Sequence, residues 1–359
     1  MEENLLKLDM LGHDDPTMIR MLEDMTGVDA QKIPLDDQDT MSIFTSSKVL
    51  GYENDEILGP TGAVAIPEFN TRFTRGMLMD TMPQDFNTLV RLSGFSHGTD
   101  VWLGNARDLI VGGTASVLET VGCRDDIMLY LISMGLEPKM SFKIMEAVRK
   151  GKVKKKGFED GWEEAMREHQ VPDWYIGSLA KIGYLFPKAH AVAYVMMAFR
   201  IAWFKVHEPL AFYATFFSIR AKAFDAEYCC AGMDAVKQKI REIENNKDAT
   251  DVEQNLLVTL EVCYEFYLRG FHFDTISIYD SDATHFKITE NGLLPPFVTV
   301  RGLGETAALD TVEKRKGKTF ISVEEFATTC NKLSKTHIEQ LKALGAFAGM
   351  ADTSQVTLF

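Results

Sequence analysis

The chain opens with alternating apolar and polar residues. In residues 5–11 this alternation predicts a short strand with Lys7, Asp9 and Leu11 on one face and apolar residues on the other. Gly12 ends the strand. Asp9 is therefore an acid among apolar neighbours.

Helical spacing replaces alternation after this strand. Asp15 and Pro16 are typical of an N-cap and a first helical position, and the helix they predict continues to Gly27. A second clear helix begins at residues 186–188 and stops before Pro209. Both predictions depend on local pattern alone.

The pattern predicts two kinds of fold along the chain. Helical spacing dominates from about residue 28 to 212, which leaves little room for sheet. Residues 213–293 mix helical stretches with strand-like pieces such as 286–288, and helical patterns follow residues 300–304 and 333–336. We expect a mainly α fold whose smaller second unit is α+β.

Composition excludes several classes of protein. The 359 residues are 46% hydrophobic and 25% charged, which is typical of a globular chain and not of a disordered one. We find neither an apolar run of membrane-spanning length nor a signal region, so we expect a soluble, cytoplasmic protein with no membrane partner. Five cysteines without zinc spacing predict reduced and mostly buried thiols: Cys123, Cys229, Cys230, Cys263 and Cys330.

The formal net charge of −14 argues against nucleic acid as a partner, but the average conceals a basic run. Seven positive charges stand against one negative charge in residues 141–157. A solvated loop and a phosphate-binding patch both explain such a run. Lys152, Lys154 and Lys155 are the candidates for DNA contact.

The last residues end in a pair of apolar anchors. Leu358 and Phe359 follow Gln355 and Val356, and an exposed pair of this kind is better explained by a partner pocket than by water. A terminus folded onto its own domain is the alternative.

A Gly-x-Gly turn before a helix is typical of a helix-hairpin-helix. At Gly302 and Gly304 the absence of side chains would let backbone amides approach a phosphate, although a lone Gly-x-Gly is a weak signal and an ordinary turn is the alternative. Lys314 and Arg315 lie close by, and Lys335 opens a second such element. These residues are candidates for sequence-independent duplex binding.

Two further segments are candidates for binding an anion. Residues 92–102 are rich in Gly and hydroxyl groups beside Arg91, and predict either an anion-binding loop or a packed helix junction. His190 and Tyr194 are four residues apart, hence on one helix face, and follow Lys188. A capping lysine and a core tyrosine are the alternative for this second segment.

Several long segments together resemble one family over essentially the whole chain, the PolC-type alpha subunit of bacterial DNA polymerase III. They are LLKLDMLGHDDPT (5–17), SGFSHGTDVWL (93–103), GCRDDIM (122–128), FPKAHAVAY (186–194) and PPF (295–297). The tail is similar to the peptides that bind the bacterial beta sliding clamp. The resemblance implies template-directed DNA synthesis within a replisome, with primer-template DNA, incoming dNTP and other replisome subunits as partners.

The resemblance also implies domains and roles. It implies a palm edge (1–16), helical fingers (17–212), a duplex-binding domain with helix-hairpin-helix elements (213–353) and a clamp-binding tail (354–359). Asp9 would be one of three metal-binding aspartates in a two-Mg²⁺ site, which is only partly present here. Contacts to the triphosphate or the nascent base pair would come from seven residues: Arg91, Ser96, His97, Arg124, Lys188, His190 and Tyr194.

A departure from the family pattern limits the expected activity. The resemblance places the other two palm aspartates in an Asp-x-Asp motif upstream of the strand that carries Asp9, and residues 1–8 contain no aspartate. We therefore expect the chain alone not to polymerise DNA. A non-catalytic module that binds DNA and tethers the clamp is the alternative, and a metabolic enzyme with an acidic surface explains neither the tail nor the hairpins.

Overall fold

A computed structural model describes residues 13–353. These residues form two compact units, a helical unit (residues 32–206) and a mixed unit (residues 13–31 and 207–353). The predicted mainly α fold with a small sheet is confirmed. The domain limits stay a prediction.

Eighteen α-helices and three short strands occur in the described part of the chain. Their bounds are α1 (Asp14–Thr26), α2 (Gln38–Ser42), α3 (Arg72–Thr81), α4 (Phe86–His97), α5 (Arg107–Val111), α6 (Arg124–Ser133), α7 (Pro138–Arg149), α8 (Lys152–Lys156), α9 (Trp162–Glu168), α10 (Asp173–Lys181), α11 (Lys188–His207), α12 (Pro209–Ile219), α13 (Ala226–Cys229), α14 (Met233–Asn245), α15 (Asp251–Leu268), β1 (His272–Phe273), β2 (Lys287–Ile288), β3 (Gly292–Leu294), α16 (Glu305–Lys314), α17 (Val323–Thr329) and α18 (Lys335–Ala343).

Helix α1 confirms the first predicted helix but corrects its start. His13 is the N-cap, and its Nδ1 accepts a hydrogen bond from the backbone N–H of Asp15 (3.3 Å). The prediction of Asp15 as the cap is wrong because Asp14 and Asp15 already lie in the first turn, where acids interact favourably with the helix dipole. Gly27 ends the helix at a φ of +71°, as predicted.

Two stretches of the helical unit for which a loop was one of two alternatives are helical. Residues 92–97 belong to α4, which agrees with a packed helix junction, while anion binding by this segment stays a prediction. The basic run contains α8, so a solvated loop is wrong there. In both cases burial of apolar neighbours stabilises the helix: Phe95 is 1% exposed and Val153 is 2% exposed.

Helix α11 begins and ends as predicted, between Pro187 and Pro209. Among the described residues it alone is long and apolar enough, by length and composition, to cross a membrane. Its Val195 and Phe199 are fully buried within the helical unit, and core helices of soluble proteins have the same property.

An aromatic core and a small sheet organise the mixed unit. Strand β3 pairs with β1 in parallel and with β2 in antiparallel orientation, which confirms the strand predicted at 286–288. Phe217, Phe266 and Phe273 pack together with ring centroids 4.7–5.9 Å apart. Within this core the hydroxyl of Tyr213 donates to the buried carboxylate of Glu265 (2.7 Å).

All five cysteines are free, and four of them are buried, as predicted. Cys230 is half-buried. Burial, together with the nearby Asp126 carboxylate, raises the pKa of the Cys123 thiol to about 12. A thiol with this pKa stays protonated at neutral pH and is a poor nucleophile.

Candidate functional site

A cluster of aromatic and imidazole rings lies at the start of α11. His190 and Tyr194 share one face of this helix with ring centroids 4.5 Å apart. Phe186 stacks on His190 at 5.0 Å, and His97, from the end of α4, lies 5.4 Å from His190. The fold thus brings together three of the residues singled out from two distant segments of the sequence.

His97 is held between two oxygen acceptors. Its Nδ1 lies 3.2 Å from the carbonyl oxygen of Ser93, one turn earlier in α4. Its Nε2 lies 3.1 Å from the carboxylate of Glu68, whose side chain is 9% exposed. Burial lowers the pKa of His97, and burial and then the proximity of His97 lower the pKa of His190. Sequence analysis missed Glu68, which lies in an irregular loop with no local signal.

Arg91 is engaged inside the protein. Its guanidinium pairs with Asp126 (2.5 Å) and donates to the carbonyl oxygens of Thr120 (2.7 Å) and Leu118 (3.0 Å). Only 12% of its side chain is exposed. These bonds connect α4 to the start of α6, so Arg91 supports the site in this structure, while its predicted anion contact stays a prediction.

Hydrogen bonds donated by backbone N–H groups join the starts of α6 and α11. The N–H of Arg124 donates to the carbonyl oxygen of Phe186 (3.1 Å), and the N–H of Lys188 donates to the Asp125 carboxylate (2.6 Å). The side chains of Arg124 and Lys188 are both partly exposed. Ser96 is also partly exposed and donates its hydroxyl to the carbonyl oxygen of Ser93 (3.0 Å). Two cations and a hydroxyl therefore belong to the elements that carry the ring cluster.

The basic run forms an exposed face of α8. Lys152, Lys154 and Lys155 are exposed, while Val153 between them is buried. Lys154 pairs with Asp100 (2.5 Å). The other three lysines of α8, Lys152, Lys155 and Lys156, are also exposed and give this short helix a positive surface.

The Gly-x-Gly turn of the mixed unit begins α16. Gly302 has a φ of +77°, and Gly304 is the N-cap of the helix. Lys314 pairs with Asp310 (2.9 Å) at the far end of α16. Arg315 is 8% exposed and donates to the carbonyl oxygens of residues 278 and 281, so it supports the hairpin in this structure.

The second hairpin element lies beside the first. Ser334 caps α18, and the N–H of Ser334 donates to Nδ1 of His337 (3.2 Å). A Cβ added to Gly302 would lie 3.7 Å from Nε2 of His337. Lys335, in the first turn of α18, has a side chain that is 92% exposed. His337 is thus a second residue that sequence analysis missed, and the capping box was its local signal.

A cleft of about 540 Å³ lies beside the two hairpin elements and is lined in part by Arg301 and by residues of α18. Asp225, Glu227, Asp274 and Glu339 contribute carboxylates to its wall, and Arg301 pairs with Asp225 (2.8 Å). This excess of carboxylates would repel a phosphate, so the cleft does not extend the basic surfaces described above.

Some of the singled-out residues lie outside the described part of the chain. These are Asp9 and the tail residues Gln355, Val356, Leu358 and Phe359. Within residues 13–353 no group of three or more His, Cys, Asp or Glu side chains is arranged to hold a metal ion. The metal site predicted at Asp9 therefore stays a prediction.

Comparison with known proteins gives matches along the whole chain. Residues 15–170 match the family described as the bacterial DNA polymerase III alpha subunit finger domain, and residues 270–356 match the helix-hairpin-helix motif. The chain is 53% identical over 356 residues to the DNA polymerase III PolC-type of Caldanaerobacter subterraneus, and 50% identical over 358 residues to that of Halalkalibacterium halodurans. It covers 25% of each relative, and each alignment includes 99% of the chain.

Proposed function

Because the chain belongs to the PolC-type DNA polymerase III family, we propose that it is the part of a replicative DNA polymerase that receives the incoming nucleotide and holds the duplex. The chain spans about a quarter of the curated relatives it matches, so the activity of the whole polymerase is part of this proposal. The observation that carries it is the cluster of His97, His190 and Tyr194, since His97 lies within the finger-domain match.

The ring cluster has the chemistry to bind a nucleoside triphosphate. The rings of His190 and Tyr194 offer flat faces on which a base can stack. Arg124 and Lys188 supply positive charge for phosphates, and Ser96 can donate a hydrogen bond to them. Both ring nitrogens of His97 face protein acceptors, so His97 would contribute by packing against the His190 ring. Arg91 orders the start of α6 and is the remaining candidate for a triphosphate contact.

The two hairpin elements form the proposed duplex-binding surface. Backbone amides at Gly302 and Gly304 would contact phosphates, and the exposed Lys335 would add positive charge. Lys314 and Arg315 complete the set that we proposed from the sequence, with Arg315 acting through its support of the turn. We add His337, because its accepting Nδ1 leaves the proton on Nε2, beside the turn. Lys152, Lys154 and Lys155 are a separate candidate surface for template phosphates.

Three finer parts of the proposal concern the ends of the chain. Asp9 would hold Mg²⁺ together with an Asp-x-Asp motif of the palm, and the metal would lower the charge at the reacting phosphate. The chain alone would then not extend a primer. Gln355, Val356, Leu358 and Phe359 would dock on the beta sliding clamp. We place the protein in the bacterial cytoplasm with other replisome subunits.

Nucleotide binding tests the central claim. The wild-type chain should bind dNTP with Mg²⁺ in a calorimetric titration, and His190→Ala or Lys188→Ala should weaken this binding about tenfold or more. Lys139→Ala, at an exposed position of α7, is the matched control and should leave the affinity unchanged. Equal affinity in all four proteins would contradict the proposed site.

Duplex binding tests the hairpin surface. Lys335→Ala should reduce the slope of log K against log salt by about 1, because one phosphate contact is lost. Lys247→Ala removes an exposed lysine of the same unit and should leave the slope unchanged. An undiminished slope in Lys335→Ala would remove this residue from the surface.

Primer extension tests the proposed dependence on the palm. We expect synthesis only after addition of a palm fragment that carries the Asp-x-Asp motif, and none with Asp9→Ala. Deletion of residues 355–359 should abolish retention on the sliding clamp while leaving duplex binding intact. Extension by the isolated chain, or clamp retention after the deletion, would contradict the respective claim.

A further inference from the structure

The loop that carries Glu68 is strained at two positions that are not glycine. Ala65 has a φ of +63° and Glu68 a φ of +69°, in the left-handed region that L residues with a side chain seldom adopt. Such strain persists only where surrounding contacts fix the backbone, and it concentrates at functional sites.

Two sets of hydrogen bonds hold this loop in place, one from within the loop and one from a distant helix. The side chain of Asn70 accepts a hydrogen bond from the N–H of Ala65 (2.6 Å). The ammonium of Lys205, in α11, donates to the carbonyl oxygens of Gly62 (2.8 Å) and Val64 (2.5 Å). The loop is therefore fixed by the same helix that carries His190 and Tyr194.

The strained backbone places the Glu68 carboxylate against the ring cluster. One oxygen of Glu68 lies 3.1 Å from Nε2 of His97 and 3.3 Å from the hydroxyl of Ser93. From the geometry we propose that Glu68 is a positioning residue that fixes the orientation and the protonated nitrogen of His97. This inference rests on the proposed nucleotide site.

The hydrogen-bonding capacity of imidazole explains how Glu68 would act. A neutral imidazole has one N–H, and both nitrogens of His97 face acceptors. The bond to a carboxylate is charge-assisted and stronger than the bond to the Ser93 carbonyl, so the proton resides on Nε2.

A structural role for Glu68 predicts a different result from a positioning role. Glutamine keeps the shape of the side chain and an acceptor oxygen but removes the charge. If Glu68 only fills space in the loop, Glu68→Gln leaves His97 and the nucleotide affinity unchanged. If Glu68 positions His97, the substitution changes the ring nitrogens of His97 and weakens nucleotide binding.

The test combines NMR with a double-mutant cycle. We expect Glu68→Gln to shift the ¹⁵N signals of the His97 ring and to weaken binding of Mg²⁺-dNTP about tenfold, with little change in thermal unfolding. In the His97→Ala background the same substitution should have no further effect on affinity, since Glu68 acts through His97. Glu159→Gln, at an exposed position of the same unit, is the matched control.

The outcomes distinguish a failure of this inference from a failure of the proposed function. Unchanged His97 signals in Glu68→Gln, or an equal loss of affinity in the His97→Ala background, would overturn the positioning role alone. Nucleotide affinity that is unchanged in both His97→Ala and His190→Ala would overturn the proposed site and this inference with it. If Glu68→Gln does not fold, Glu68→Asp keeps the charge but withdraws the carboxylate from His97, so it should still shift the His97 signals, and unchanged signals would overturn the positioning role.

Discussion

Lys205→Met removes a buried charge that holds the 61–70 loop. Lys205 is fully buried, and its ammonium donates to two backbone carbonyl oxygens, those of Gly62 and Val64. Methionine has a similar length and an apolar stem, so the substitution deletes the donors without opening a large cavity.

The expected cost follows from the two carbonyl groups that lose their partner. Leaving a buried acceptor without a hydrogen bond costs about 1–3 kcal/mol. Removing the ammonium also removes the free energy spent on its desolvation, which offsets part of this loss. We therefore expect the loop to be destabilised by about 2–3 kcal/mol, which corresponds to roughly 30- to 140-fold more frequent local opening.

Native-state hydrogen exchange with mass spectrometry measures this opening directly. Peptides that cover residues 61–70 should exchange faster by about that factor in Lys205→Met. Lys156→Met removes an exposed lysine of the same unit and should leave exchange of these peptides within about twofold of wild type. Wild-type protection of the loop in Lys205→Met would refute the assignment of Lys205 as its support.

Three further predictions concern other parts of the chain. Gly302→Ala should lower the free energy of unfolding by about 1 kcal/mol, because alanine is strained at a φ of +77°. Gly76→Ala, at an exposed position within α3, should raise it by about 0.5–1 kcal/mol, because alanine reduces the conformational entropy of the unfolded chain. Urea denaturation measures both changes. Tyr213→Phe should cost about 1–3 kcal/mol in the same assay, because the buried carboxylate of Glu265 loses its 2.7 Å donor, and an unchanged midpoint would contradict this role. Hydrogen bonds from two neighbouring cations lower the pKa of Glu146 to about 2, so its contribution to stability is present above about pH 4.5 and is lost as the pH falls towards 2; an NMR titration of this carboxyl with a midpoint near 4.5 would contradict it.

Local signals account for the parts of the fold that the sequence predicts. Pro187 and Pro209 delimit α11 because the proline ring fixes φ and leaves no backbone N–H to donate. Gly27 ends α1 because glycine, which has no Cβ, adopts a positive φ without a steric clash. Local pattern left two alternatives open at residues 92–97, where Gly and hydroxyl groups are typical of a loop, but burial of Phe95 favours the helix that the structure has. Tertiary packing overrides weak local preferences of this kind.

The candidate site was predicted only in part for the same physical reason. His190 and Tyr194 are related by helical spacing, which a sequence displays directly. Glu68 meets His97 through a loop whose left-handed residues are not glycine, so nothing local marks its conformation. His97 is near His190 because Thr99, just after α4, pairs with Tyr184, just before α11, through a backbone hydrogen bond of 3.0 Å that no local signal marks.

The bond between Lys205 and the carbonyl oxygen of Gly62 joins residues 143 positions apart in the chain. At bacterial rates of about 5–20 residues per second, a ribosome needs roughly 7–30 s to proceed from one to the other. During that interval the loop has no ammonium to hold its two carbonyl groups, and water solvates them instead. Glu68 can therefore take its place against His97 only after α11 has been synthesised, which makes the ring cluster one of the last features of the helical unit to form on the ribosome.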